Sequence, residues 1–399
     1  MHRILRINLT ERHAAIEPLP ATYRSLGGRG LTARIISDEV PPTCDPLGTQ
    51  NKLVFAAGLC AGTSVPNSGR LSVGAKSPLT GTIKESNAGG SVAQKIARLG
   101  FRAVIVEGAA KEPVTVKIDR DGIRFESAAA LAGRGNYQVI ELLKNECGPG
   151  VGIVSIGQAG EMRLKAAAIS VTTPDFHVRV AARGGLGALM GAKGLKALVL
   201  DDAGCEAVPV ADPERLKVAV QAFTRGVLSH PLIGGLKAFG TPILVNMMDA
   251  MGTIVTKNYS QGRFAGAEQI SGEHMAEIVA QRPNAKPSHA CMRGCVIQCS
   301  NIYTDPAGEL VVAGIEYETV ALMGSNCLID DLDAIAAMNR ACNDFGLDTM
   351  DVGGALAVAM EAGLLAWGDA AAAVQLVAEI GAGSERGRMI GNGVKHTGE

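Results

Sequence analysis

Three cysteines recur at regular spacing in Cys291-Met292-Arg293-Gly294-Cys295-Val296-Ile297-Gln298-Cys299. This C-x3-C-x3-C run can bring three thiolates to one metal centre, since soft anionic sulfur suits both iron–sulfur clusters and zinc. Gly294 lets the backbone fold around such a centre. Two other readings share the same residues. Spacings of four also line up buried thiols on one helix face. His289 could complete a zinc site as the fourth ligand.

A second signal is rich in glycine and arginine. It comprises Leu26-Gly27-Gly28-Arg29-Gly30-Leu31, Ser68-Gly69-Arg70-Leu71-Ser72 with Glu85-Ser86-Asn87-Ala88-Gly89-Gly90, and the stretch from Arg179-Val180-Ala181-Ala182 to Arg183-Gly184-Gly185-Leu186-Gly187. Glycines free backbone N–H groups to approach phosphate oxygens, and an arginine fork grips them in pairs. A single Gly-Gly pair is a turn by default. Three arginine-plus-glycine loops in one region point to a phosphate-bearing ligand. None is expected to follow a strand and open a helix in a βαβ unit, so the dinucleotide fingerprint is not met.

Two acidic segments follow the cysteines. In Gly314-Ile315-Glu316-Tyr317-Glu318, a carboxylate near a metal could move protons, or the pair could be a solvated element end. In Asn343-Asp344-Phe345-Gly346-Leu347-Asp348, Gly346 closes one helix and Asp348 caps the next.

The elements that must hold these residues divide into two styles. Before about residue 205 the pattern is mostly β. Residues 3–9 alternate with period two, with a return through 15–19. Residues 103–107, 151–156 and 196–200 read as buried strands. Residues 114–118 and 123–126 flank Asp121-Gly122, a hairpin signal. Short helices are expected at about 91–99 and 136–145. After about residue 211 the pattern is helical: Asp212-Pro213 is an N-cap with proline at the first position. Residues 331–343 have the helical period, and 352–380 read as one or two Ala-rich helices. These patterns set domains of 1–208 and 209–399, with no internal repeat expected.

Composition narrows the function classes. The chain of 399 residues is too long for one small core, and Lys+Arg 38 against Asp+Glu 39 gives a net charge of −1, which argues against a nucleic-acid binder. No apolar run reaches the ~18 residues of a membrane span. A soluble cytoplasmic protein is expected, and its nine cysteines suit thiols or metal ligands there better than disulfides.

Taken together, the segments resemble the aldehyde ferredoxin oxidoreductase family of tungsten–pterin enzymes. The resemblance runs from Gly27-Gly28-Arg29-Gly30 through Asn51-Lys52-Leu53-Val54-Phe55-Ala56-Ala57-Gly58, Ser68-Gly69-Arg70, Ser86-Asn87-Ala88-Gly89-Gly90 and Arg183-Gly184-Gly185-Leu186-Gly187 to Glu316-Tyr317-Glu318 and Gly346-Leu347-Asp348. It implies an α+β fold, in which an N-terminal double β-sheet domain binds two pterin dithiolenes holding one tungsten and a mainly helical part covers them. It assigns pterin contacts to Arg70, Asn87, Gly89, Arg179, Ala182, Arg183 and Gly184. Asn343, Leu347 and Asp348 fall in the family's D-x-x-G-L-D motif, with Asn343 in place of the opening acid. Glu318 matches the active-site glutamate and Tyr317 its neighbouring tyrosine. Cys291, Cys295 and Cys299 match the ligand run of a [4Fe–4S] cluster, the first displaced by one residue from the usual C-x2-C-x3-C.

The implied activity is oxidation of an aldehyde to its carboxylic acid, with electrons leaving through the cluster to ferredoxin. Mg²⁺ would bridge the pterin phosphates. Family members extend beyond the point where this chain stops, and the extension supplies a fourth cluster cysteine and an active-site histidine. The isolated chain is therefore expected to be weakly active or inactive. It could be a pterin-binding fragment, a subunit needing a partner chain, a homodimer, or a non-catalytic zinc protein on the same scaffold.

Overall fold

The computed structural model describes residues 3–399. They pack as two compact units. The first runs through Thr224 and takes in Cys291–Cys295 and Asp344–Gly346; the second comprises Arg225–Ala290, Val296–Asn343 and Leu347–Glu399.

The first unit holds twelve strands: β1 Arg3–Asn8, β2 His13–Pro18, β3 Leu53–Ala57, β4 Leu71–Lys76, β5 Ile83–Ala88, β6 Phe101–Glu107, β7 Val114–Asp119, β8 Gly122–Ser127, β9 Gly152–Ser155, β10 Ile169–Thr172, β11 Val178–Ala181 and β12 Leu195–Leu200. They form two six-stranded sheets, ordered β2-β1-β6-β3-β4-β5 and β11-β10-β9-β12-β7-β8. Read from β8, the second sheet repeats the first strand for strand. In each, a hairpin edge pairs in parallel with the last strand, and the remaining pairs are antiparallel. This leaves the sequence without a matching repeat, as expected. The repetition lies in backbone pairing, which does not require the same residues twice.

Strand periodicity sorts the core into layers. Leu5, Ile7, Leu53, Phe55, Val104 and Val106 of the first sheet share one cluster with Val116, Val154, Leu198 and Leu200 of the second. Their alternates point outward. Ile4, Val54, Ala56 and Ile105 meet Leu31, Ile35 and Ile36 of the helix Gly28–Glu39. Ile153, Ala197 and Val199 meet Val139, Ile140 and Leu143 of the helix Asn136–Cys147. Lys193, 1% exposed, anchors the frame, its Nζ donating to the carbonyls of Asn51 at 2.6 Å and Gly108 at 3.1 Å.

Strands β4 and β5 went unread in the sequence for physical reasons. Gly74 interrupts β4 because a Cβ there would stand 2.5 Å from Thr32 Cβ on the covering helix. Strand β5, Ile-Lys-Glu-Ser-Asn-Ala, is a sheet edge and carries little apolar signal. One expectation is corrected here. The Arg183-Gly184-Gly185 turn does follow a strand, β11, and opens the helix Leu186–Ala192. The sheet order still separates β11 from β12, so the unit is not a βαβ pair.

The second unit is mainly helical, and contains a three-stranded sheet that its helical pattern did not announce: β13 Lys286–His289, β14 Ser300–Thr304 and β15 Leu310–Ala313. Helix Tyr317–Met323 packs against helix Thr349–Glu361 with backbone contact, since a Cβ on Gly353 would stand 2.7 Å from the Leu322 carbonyl. Gly346, with φ +73°, ends the helix Leu332–Phe345, and the Asp348 side chain accepts the Met350 N–H at 3.1 Å to start the next. Among the described residues, no helix is long and apolar enough to cross a membrane.

Candidate functional site

In the first unit the site grows from the pairing of β4 with β5, which sets Ser72 opposite Asn87 and Leu71 opposite Ala88. Arg70 enters β4 and is exposed. Its Nε donates to Asn87 Oδ1 and its terminal nitrogen to the Asn87 carbonyl at 3.4 Å. Asn87 Nδ2 in turn donates to Ser72 Oγ at 3.2 Å, which fixes the amide orientation. Two residues on, Gly89 is buried against the cysteine loop, where a Cβ would stand 2.8 Å from Cys291 Sγ.

The edge strand β11 supplies the facing wall. Arg179 lies on it half-buried; Ala182 follows, and Arg183 and Gly184 turn away with φ +69° and +80°. A non-glycine residue at that φ is uncommon, and two hydrogen bonds hold the turn. Ser86 Oγ donates to the Arg183 carbonyl at 3.0 Å and Ser77 Oγ to the Gly184 carbonyl at 2.7 Å. Gly184 leaves room for Lys84, whose stem a Cβ would meet at 2.6 Å. Ser77 and Lys84 gave no sequence signal, because their role is to join the edges of two sheets.

Cys291 and Cys295 come together here as a hydrogen-bonded thiol pair. Their mutual bond and burial push the Cys291 thiol up, while Arg179 and Arg70 oppose that rise. Two close thiols beside two guanidiniums suit a soft cation, which displaces the thiol protons and leaves anionic sulfur near positive charge. The segment 291–299 is a succession of turns, not a helix, so the helix-face reading of its spacing is corrected. Gly294, at φ +77°, bends it.

In the second unit, Glu316, Tyr317 and Glu318 stand at the start of the helix Tyr317–Met323. The Tyr317 N–H donates to Thr241 Oγ1 at 2.9 Å, and that hydroxyl donates to Glu316 Oε2 at 2.7 Å. Thr241 thus fixes the helix start, a role no motif announced. Glu318 is exposed in the first turn. Burial, with Glu318 and Tyr259 nearby, pushes the Tyr317 phenol up. Asn343, Leu347 and Asp348 are buried around the Gly346 turn, where the Leu347 N–H donates to the Cys342 carbonyl at 2.7 Å. Cys299 forms a parallel bridge with His289.

A model of the aldehyde ferredoxin oxidoreductase N-terminal domain matches residues 4–202, and a model of domains 2 and 3 of the same family matches residues 218–399. The tungsten-containing aldehyde ferredoxin oxidoreductase of Pyrococcus furiosus is 38% identical over 363 residues, covering 90% of this chain and 58% of that protein. Its counterpart from Thermococcus kodakarensis is 37% identical with the same coverage. The aliphatic sulfonate oxidoreductase, WOR-like subunit, of Pyrococcus furiosus is 26% identical, over 84% of this chain and 54% of that one. The chain thus spans 58% of the length of the first two relatives. Among solved structures, the active-site complex BamBC of benzoyl coenzyme A reductase shares the fold with a TM-score of 0.83 at 24% identity, over 99% of this chain and 62% of that one.

Proposed function

The chain belongs to the aldehyde ferredoxin oxidoreductase family, and on that premise we propose that it works as a tungsten–pterin oxidoreductase converting an aldehyde to its carboxylic acid. In that reaction water would supply the oxygen, and a [4Fe–4S] cluster would supply a one-electron path to ferredoxin or a similar carrier. The observation that most supports this reading is the convergence of Arg70, Gly89 and Arg179 on the Cys291–Cys295 thiol pair, with Asn87 hydrogen-bonded to Arg70.

The fit of the residues to the cofactors rests on their chemistry. Arg70, Arg179 and Arg183 would supply positive charge to the pterin phosphates, with Mg²⁺ as their counter-cation. Asn87 offers amide hydrogen bonds. Ala182 and Gly184, in the turn after β11, present backbone with little side chain in the way. Asn343, Leu347 and Asp348 would contact a pterin. Cys291, Cys295 and Cys299 would be cluster ligands. When bound, the tungsten centre supplies Lewis-acid polarisation and two-electron oxidation.

The chain's own residues then bind, orient and move the proton. Tyr317 and Glu318, at one helix start, would be the side chains that meet the substrate. A Glu318 carboxylate oxygen takes the proton released as water adds to the carbonyl. Thr241 holds that helix start in place through its two hydrogen bonds.

The test is dye-linked aldehyde oxidation by the whole protein, produced anaerobically with tungstate. Glu318→Gln should lower kcat by about 10²–10⁴-fold with metal content unchanged. Undiminished turnover would remove Glu318 from the mechanism. A second reading is a subunit that holds the pterin and works with a partner chain; the relative that is the WOR-like subunit of an aliphatic sulfonate oxidoreductase favours it. Co-purification of a second chain required for turnover would decide for it.

A further inference from the structure

We propose that Gln94 is a positioning residue for the Cys291–Cys295 turn; this rests on the reading of those thiols as metal ligands. Gln94 belongs to the helix Val92–Arg98, and its Nε2 donates to the Arg293 carbonyl at 3.1 Å. The next carbonyl, Gly294, accepts the Asn67 N–H at 3.2 Å. Two successive carbonyls between the thiols are therefore tied from outside the turn. Asn67 has φ +59°, a left-handed conformation that aims its N–H at the turn.

The arrangement is built to admit the amide. A Cβ on Gly69 would stand 2.9 Å from Gln94 Nε2 and 3.2 Å from its Cδ. The turn that carries Arg70 thus omits a side chain where the Gln94 amide lies. Gly89, five positions before Gln94 in the sequence, does the same for Cys291 Sγ. One short stretch, 89–94, therefore seats a thiol and holds the peptide next to it. Partners that orient ligating groups without touching the metal typically set affinity by ~10–100-fold.

The peptide N–H groups of the turn follow the orientation of these carbonyls. Without the donor, the Arg293 peptide can rotate and the thiols lose their common direction. Gln94→Leu removes the donor at similar size, and Gln94→Lys restores an N–H at similar reach.

The experiment is a cobalt(II) titration of the metal-free protein, read by thiolate-to-cobalt charge-transfer absorption, with thermal melting as the check on folding. Iron loss from the loaded protein to a ferrous chelator is measured beside it. Gln94→Leu should weaken cobalt binding and speed iron loss by about 10–100-fold at unchanged melting temperature. Gln94→Lys should stay within about threefold of the parent, a gap the ~10–100-fold range leaves clear. Parent-like behaviour of Gln94→Leu would overturn the proposal, as would equal losses in both variants. If Gln94→Leu does not fold, Gln94→Lys decides alone: tight binding supports the role, and weak binding overturns it. A parent protein that binds cobalt but never acquires iron would fail the proposed function while leaving the cobalt comparison valid.

Discussion

Gly89→Ala probes the contact between the arginine-bearing strands and the cysteine turn. The new methyl would stand 2.8 Å from Cys291 Sγ, 3.3 Å from Cys291 Cβ and 3.5 Å from the Cys291 carbonyl oxygen. Comfortable separations are ~3.5–4.0 Å, so the sulfur must withdraw by about 1 Å. Gly89 does not occupy the left-handed region, so alanine brings no backbone strain of its own. Overpacking of this kind costs about 1–3 kcal/mol. Cys291 is hydrogen-bonded to Cys295, so its displacement also spreads the pair. Denaturant unfolding should show that loss together with weakened cobalt(II) binding. Gly226→Ala is the control: nothing lies within 4 Å of that position in the helix Pro213–Leu228, and alanine there should stabilise by ~1 kcal/mol. Cys291→Ala isolates the clash. In its background the tightest contact left is the 3.3 Å one with the residue's Cβ, so Gly89→Ala should cost much less, giving a coupling energy of about 1–3 kcal/mol. Additive costs would refute the contact, and so would a Gly89→Ala protein as stable as the parent.

Other consequences follow from single groups. Burial pushes the Lys193 ammonium from the ordinary 10.5 down to about 8. The unfolded chain then binds more protons between those values, so stability rises with pH across that window, by on the order of 3 kcal/mol. Lys193→Met should abolish the rise, and an unchanged pH profile in unfolding curves would contradict it. Asp348→Ala removes the cap of the helix Thr349–Glu361 and should cost about 1 kcal/mol, while Asp348→Asn keeps it; equal losses in thermal melts would reject the cap. Lys257, Asn258 and Tyr259 are three successive residues at φ +45°, +48° and +60°. Tyr259 is 67% exposed, so Tyr259→Asn loses little packing and relieves about 1 kcal/mol of left-handed strain. A melting temperature that does not rise would argue against that strain.

The sequence announced elements whose local residue pattern is regular. Strand β1 and the hairpin β7–β8 alternate clearly, with Asp119 Oδ1 accepting the Asp121 and Gly122 N–H groups at the turn. Asp212 caps its helix through the Arg215 N–H at 2.9 Å, as the Asp-Pro pair implies. The polar edge strand β5 and the glycine-broken β4 were invisible, because pairing and close helix contact define them, not hydrophobic period. The site shows the same division. Cysteines, arginines and Glu318 stand out by residue type. Gln94 and Asn67 do not, since a hydrogen bond to a carbonyl 199 positions away leaves no mark on the local sequence. Thr241 is hidden likewise: it holds a helix start 76 positions later through one hydroxyl.

On the proposed function, the first unit's arginine-bearing turns and the thiol pair would hold a tungsten–pterin and an iron–sulfur cluster. Elemental analysis tests it most directly, on whole protein produced anaerobically with tungstate and purified under the same conditions. Tungsten and iron in a brown protein, with pterin released on denaturation, is the predicted result. A colourless protein containing zinc alone, with no tungsten and no releasable pterin, would contradict it.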